Sequence, residues 1–199
     1  LNKLKGKEIS KANLSKIAAK IEIEKCKKPI GMQDHYAAAY GGFNSILFNQ
    51  NKTVSVKKIK ISEKRLNIFK KHLLMFYSGI NRKADKILGI IKKEKKHNIN
   101  YETLSKLANQ FEYELCKGDL QNTAEILHEN WMLKKNLHQK VSSANLNEVY
   151  ENALKAGALG GKLLGAGGGG YFIFFAKPNN HKRIIKRLKN FQDIDFDFS

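Results

Sequence analysis

Five glycines fall within six consecutive residues, with Ala166 among Gly165, Gly167, Gly168, Gly169 and Gly170, in the stretch "KLLGAGGGGYFIFF". Glycine reaches positive φ without steric cost, so successive N–H groups in such a run can turn into one concavity and hold an anion. The run equally suits a close backbone crossing where no side chain fits, and the glycines alone do not choose between the two. The spacing formally satisfies GxGxxG. A dinucleotide fingerprint, however, runs strand, glycine turn, helix, and the pattern here reads helix, glycines, strand. A Walker A loop ends in Gly-Lys followed by Ser or Thr. Here the neighbouring cation, Lys162, precedes the glycines and is either a phosphate partner or solvated. Arg82, in "GINRK", offers a planar fork that suits a phosphate or a surface ion pair. Asp34, in "GMQDHYAAAY", reads by itself as the N-cap of a short Ala-rich helix.

Other chemistries are poorly supported. Cys26 and Cys116 stand apart with no CxxC, which fits a reducing, cytoplasmic setting. The six His residues lack paired metal-ligand spacing. The net charge of +19 comes from 37 basic and 18 acidic residues and would suit a polyanion binder. Yet the only arginines are Arg65, Arg82, Arg183 and Arg187, and the lysines scatter over solvated helix faces. Nucleic-acid readers lean on Arg forks and exposed aromatics, so no nucleic-acid partner is expected. No stretch is long and apolar enough for a membrane helix, and no membrane partner is expected either.

The elements that must position these residues follow from periodicity. "SKANLSKIAAKIEIEKC" predicts a helix capped by Ser10, with Leu14, Ile17, Ala18 and Ile21 as its apolar face. Pro29 and Gly31 break it, and a short helix over "MQDHYAAAY" ends at Gly41 and Gly42. "FNSILF" and "TVSVKKIKI" predict strands joined by a turn at "NQNK", and "HLLMFYS" a buried strand. A helical stretch follows up to the glycines. Its helices are "ADKILGIIKKEKK", "YETLSKLANQFEYELCKG", "DLQNTAEILHENWMLKKNL" with Leu120, Ala124, Leu127 and Trp131 on one stripe, and "SANLNEVYENALKAGALGG" capped by Ser143 or Asn145. Trp131 is expected in the core. The strand "YFIFFA", the helix "HKRIIKRLKN" and a last strand "DIDFDF" complete an α+β arrangement on a largely antiparallel sheet.

Taken together, "GALGGKLLGAGGGGYFIFF", "LHENWMLKKNL", "PIGMQDHYAAAYGGFNSILF" and "LLMFYSGINRKADKIL" resemble, in order and with natural spacing, segments of the GHMP kinases. The forms "GMQD" and "AAYGGFN" are most similar to the heptose-phosphate branch of that family, from whose Gln His35 departs. The resemblance implies the end of an S5-like N-terminal domain over residues 1–65. A ferredoxin-like C-terminal domain with added helices would follow over 66–199. It implies transfer of the ATP γ-phosphate to the anomeric hydroxyl of D-glycero-D-manno-heptose 7-phosphate, with Mg2+. The alternatives are a kinase for another sugar, such as fucose or galactose, or an inactive fragment that binds a ligand or partner. By resemblance Asp34 orients the substrate hydroxyl, and Gln33, Tyr36, Gly41, Gly42 and Arg82 line the sugar pocket. Gly165 to Gly170 and Lys162 lie near the nucleotide. The resemblance also implies a Mg2+-binding Glu about ten residues before the Asp, for which Glu24 is preferred over Glu22. "LNKLKG" looks like the end of the helix that follows the family's ATP loop, which is expected upstream of Leu1. A homodimer is left open.

Overall fold

The computed structural model describes residues 6, 8–81, 88–89 and 101–198. The chain divides into two compact units, Leu1–Ile59 with Phe198–Ser199, and Lys60–Asp197.

In the first unit, α1 (Lys11–Lys20) starts where the Ser10 hydroxyl accepts from the Asn13 amide, and it runs on into a π-turn at Ile21–Lys25. The expected apolar face is not the buried one. Leu14, Ile17 and Ile21 are exposed, and the small residues Ser15 and Ala19 are buried. Small side chains let α1 approach α2 (Gln33–Tyr40) closely, with the Ser15 hydroxyl turned back onto the Lys11 carbonyl. Gly41 and Gly42, at φ 63° and 65°, end α2 in the left-handed region that only glycine adopts cheaply. β1 (Asn44–Phe48) and β2 (Val54–Lys58) then form the expected antiparallel hairpin.

The second unit opens with α3 (Glu63–Lys71), a helix the sequence reading did not contain. Ser62 caps it by accepting from the Arg65 amide. The Arg65 guanidinium then closes the C-terminal end of α4 (Tyr101–Cys116), donating to the carbonyls of Glu114 (2.6 Å), Leu115 (2.7 Å) and Gly118. A cation on the carbonyl-rich end of a helix serves both hydrogen bonding and the helix dipole. β3 (Leu73–Tyr77) follows α3, and its burial agrees with its continuous apolar run. α5 (Asn122–Lys135) and α6 (Ala144–Lys155) precede β4 (Ala158–Leu163), β5 (Tyr171–Ala176), α7 (Pro178–Arg187) and the two-residue β6 (Gln192–Asp193). Of the two expected caps for α6, Ser143 is the one used.

The sheet order β4-β5-β3-β6, antiparallel throughout, is the split βαβ arrangement of ferredoxin-like folds, with α4, α5 and α6 inserted between its first two strands. β4 corrects the sequence reading. The predicted fourth helix stops at Lys155, and "ALGGKL" is a strand, so the glycines join two antiparallel strands rather than a helix and a strand. Gly160 and Gly161 weaken a helix, and the neighbouring strand gives their backbone a ladder.

Gly160 also admits α5, and Gly161 admits the neighbouring strand. A Cβ on Gly160 would lie 1.9 Å from the Ala124 carbonyl oxygen, and one on Gly161 would lie 2.4 Å from that of Ile173. α5 therefore rests on the bare backbone of β4. Beside this crossing sits an aromatic core of Trp131, Tyr150, Phe172 and Phe174, each 0% exposed. The Tyr150 hydroxyl donates to the Gly161 carbonyl (3.1 Å) and lies 2.8 Å from His128 Nδ1, linking α6, β4 and α5. Burial raises the Tyr150 pKa well above the usual tyrosine range.

Gly160→Val should destabilise the fold by about 3 kcal/mol, the upper range for inserting atoms into a filled space. Urea unfolding followed by the fluorescence of Trp131, the one tryptophan of the chain, measures this directly. A midpoint unchanged from wild type would show that α5 does not rest on this backbone.

Candidate active site

The candidate residues fall in both units. In the first, Gln33 and Asp34 occupy the opening turn of α2, and both are exposed. Asp34 is not the cap. The N-cap position belongs to Met32, without a side-chain hydrogen bond, and the Asp34 carboxylate has no partner among the described residues. Tyr36, one turn on, is 2% exposed, its ring edge-on to Phe48 and stacked with Tyr40. Its ring is a packing element of α2. Gly41 and Gly42 end the helix, and the Asn44 side chain donates to the Gly41 carbonyl at 2.6 Å.

The two candidate metal-binding carboxylates lie in the π-turn after α1, an irregular turn that recurs at functional sites. Glu22 accepts from His35 Nε2 at 2.9 Å, so one of its oxygens is committed to the residue beside Asp34. Glu24 is exposed and has no partner among the described residues. No group of three or more ligating side chains occurs among those residues.

In the second unit, the glycines form the hairpin connection between β4 and β5. All five have positive φ: Gly165 70°, Gly167 100°, Gly168 73°, Gly169 152° and Gly170 104°. Their amides are partly used inside the fold. Gly168 donates to the Val141 carbonyl (2.7 Å), and Gly170 donates to the Ile80 carbonyl (3.0 Å) and Ser78 Oγ (3.0 Å). A Cβ at Gly167 would meet Val141 at 2.8 Å, and one at Gly169 the Ile80 carbonyl at 2.6 Å. Gly165 and Gly170 open onto free space. The hairpin is thus a backbone crossing at Gly167 and Gly169, with Gly165 accessible at its mouth.

Lys162, on β4, donates to Asn130 Oδ1 on α5. One turn along α5 lies Lys134, which the sequence reading passed over. Its Nζ donates to the Gly165 carbonyl and, at 3.4 Å, to that of Leu163. Burial, followed by the charge of Lys162, lowers the Lys134 pKa from 10.5 to about 8, and burial lowers Lys162 as well. The only sign in the sequence was "WMLKKNL" beside the glycine motif, where the helical register had to be known to separate Lys134 from Lys135. Arg82 lies outside the described residues.

Residues 111–193 match the family model "GHMP kinases C terminal". The chain carries a GHMP kinase C-terminal domain. The similarity to GHMP kinases extends beyond the domain itself. Over 94% of its length the chain is 32% identical to a D-glycero-alpha-D-manno-heptose 7-phosphate kinase of Campylobacter jejuni, covering 56% of that protein. It is 26% identical to a galactokinase of Pyrococcus furiosus over 92% of this chain and 58% of that one. A solved D-glycero-D-manno-heptose 1-phosphate kinase of Bacteroides thetaiotaomicron superposes with a TM-score of 0.68 at 25% identity, over 98% of this chain and 56% of that one. The chain thus spans somewhat over half the length of these GHMP kinases. No helix among the described residues is long and apolar enough to cross a membrane.

The depressed Lys134 pKa has a stability consequence. Below about 8 the folded chain holds this lysine charged at a cost. Between about 8 and 10.5 the unfolded chain binds more protons, so this group makes stability rise with pH. Melting temperatures from pH 8 to about 9.5, below the tyrosine range, should rise more steeply for wild type than for Lys134→Met. Equal slopes would contradict the assignment.

Proposed function

We propose that this chain supplies the acceptor-activating and phosphoryl-holding parts of a GHMP sugar kinase. It would move the γ-phosphate of ATP to the anomeric hydroxyl of D-glycero-D-manno-heptose 7-phosphate. The observation that carries the reading is the similarity to the Campylobacter jejuni kinase over 94% of the chain, which takes in both α2 with its free Asp34 and the glycine hairpin. Phosphoryl transfer asks the protein for positioning and charge stabilisation rather than covalent chemistry. The exposed Asp34 carboxylate has no hydrogen bond to give up among the described residues, so it is free to orient the sugar hydroxyl and accept its proton as the oxygen bonds to phosphorus. Gln33, beside it, offers an amide to sugar hydroxyls. The glycine hairpin, with Lys162, presents positive charge to the phosphates. Mg2+, when bound through Glu24 and phosphate oxygens, would neutralise charge on the transferring group. Fucose or galactose is the second reading for the acceptor, favoured by the similarity to the Pyrococcus furiosus galactokinase.

Asp34→Asn should lower kcat for heptose 7-phosphate by about 100-fold or more, the scale of losing a general base. KM should be little changed and the thermal midpoint unaltered, because the carboxylate makes no hydrogen bond or ion pair among the described residues. Turnover with ATP and Mg2+ measured through ADP release checks this, with galactose and fucose as competing acceptors. Near-normal turnover in the variant would remove Asp34 from catalysis. Transfer to galactose or fucose in preference to the heptose would decide for the second reading.

A further inference from the structure

Two half-buried lysines flank the glycine hairpin, and among the described residues neither has a carboxylate partner. Among the described residues, Lys134 bonds only to the carbonyls of Gly165 and Leu163, and Lys162 only to Asn130 Oδ1. Burial lowers the pKa of both, and the neighbouring charge of Lys162 lowers that of Lys134 further. Removing an ammonium from water is costly unless it is paired, and placing a second one beside it costs more. The negative end of α5 accounts for a cation in its last turn, where Lys134 and Lys135 both stand. It does not account for Lys162, which comes from the strand. A position needed only for packing would favour methionine, of similar length and without the charge.

We propose that Lys134 and Lys162 together hold a phosphoryl group at the mouth of the glycine hairpin. An ammonium carries three N–H donors. The neutral partners leave two of Lys162 and one of Lys134 unspent, and a phosphoryl group presents several oxygens and up to two negative charges to match them. The hairpin's own amides at Gly168 and Gly170 are already engaged, so these two are not available to the anion, and the lysine side chains supply the charge. Access is through Gly165, which is exposed and has open space where a Cβ would stand. In its choice of ligand the proposal rests on the kinase reading, which leaves two sources for the group, a nucleotide and a phosphorylated sugar.

Calorimetry of the chain with pyrophosphate, with ATP and Mg2+, and with heptose 7-phosphate tests the site, comparing wild type, Lys134→Met and Lys162→Met. Each substitution should weaken at least one of these ligands by about tenfold or more, the scale of a lost charge-assisted contact. The melting temperature of the ligand-free variants should be unchanged or raised, because a half-buried charge without a carboxylate partner among the described residues has been removed. A lysine with only a structural role would give the reverse, a lowered midpoint and unaltered affinity. Acetylation mapped by mass spectrometry gives a reading independent of the variants. Bound ligand should slow modification of Lys134 and Lys162 at least about fivefold, as their donors become occupied, and leave Lys155 unaffected. Loss confined to ATP assigns the group to the nucleotide, and loss confined to heptose 7-phosphate assigns it to the sugar. Affinities within twofold of wild type in both variants, absence of binding by all three ligands, or unprotected lysines under saturating ligand would overturn the proposal. Lysine-dependent binding without phosphoryl transfer would sink the kinase reading and leave the site standing. Transfer that ignores both substitutions would do the opposite.

Discussion

The second unit depends on one close approach, that of helix α5 to the backbone of strand β4. Ala124 presents its carbonyl where a side chain on Gly160 would be, and Gly161 leaves the same room toward β5. This contact sets the register between α5 and β4. It therefore sets which α5 side chains meet Lys162 and the start of the hairpin. Asn130 and Lys134, one turn apart, are the ones that do. The aromatic core beside the crossing holds the two elements in place, and the Tyr150 hydroxyl ties them through Gly161 and His128.

The hairpin glycines divide by what they do. Gly167 and Gly169 allow close passage against Val141 and Ile80. Gly168 and Gly170 give their amides to that same framework. Gly165 is left at the mouth, tied by its carbonyl to Lys134. The loop is therefore anchored to Val141 and Ile80, with its Gly165 carbonyl bonded to Lys134. Between anion nest and crossing, both open in the sequence, the structure shows the crossing at Gly167 and Gly169.

Much of the fold was legible because periodicity and caps report it directly. Ser10, Ser143, the β1–β2 hairpin and the aromatic strand β5 all follow local rules. The failures share a cause in tertiary context. "ALGGKL" continues a helical pattern until β5 offers it a ladder, so β4 was read as helix. α3 is short and charged, and Arg65 draws part of its role from the distant end of α4. On α1 the apolar stripe of Leu14, Ile17 and Ile21 is periodic, yet Ser15 and Ala19 are the buried residues, because closeness to α2 favours small side chains over apolar ones. Of the candidate site, Asp34 and Lys162 were visible through their motifs. Lys134 was not, since its meaning comes only from the crossing that turns it toward Gly165.

The central proposal is that the glycine hairpin, through Lys162 and Lys134, holds a phosphoryl group. A crystal structure with ADP, Mg2+ and heptose 7-phosphate tests that most directly. The expected result is a phosphoryl oxygen within hydrogen-bond distance, about 2.7–3.2 Å, of Lys162 Nζ, with Lys134 Nζ facing the same group. Ligand phosphates bound elsewhere, with Lys162 still on Asn130 and Lys134 still on Gly165, would contradict it.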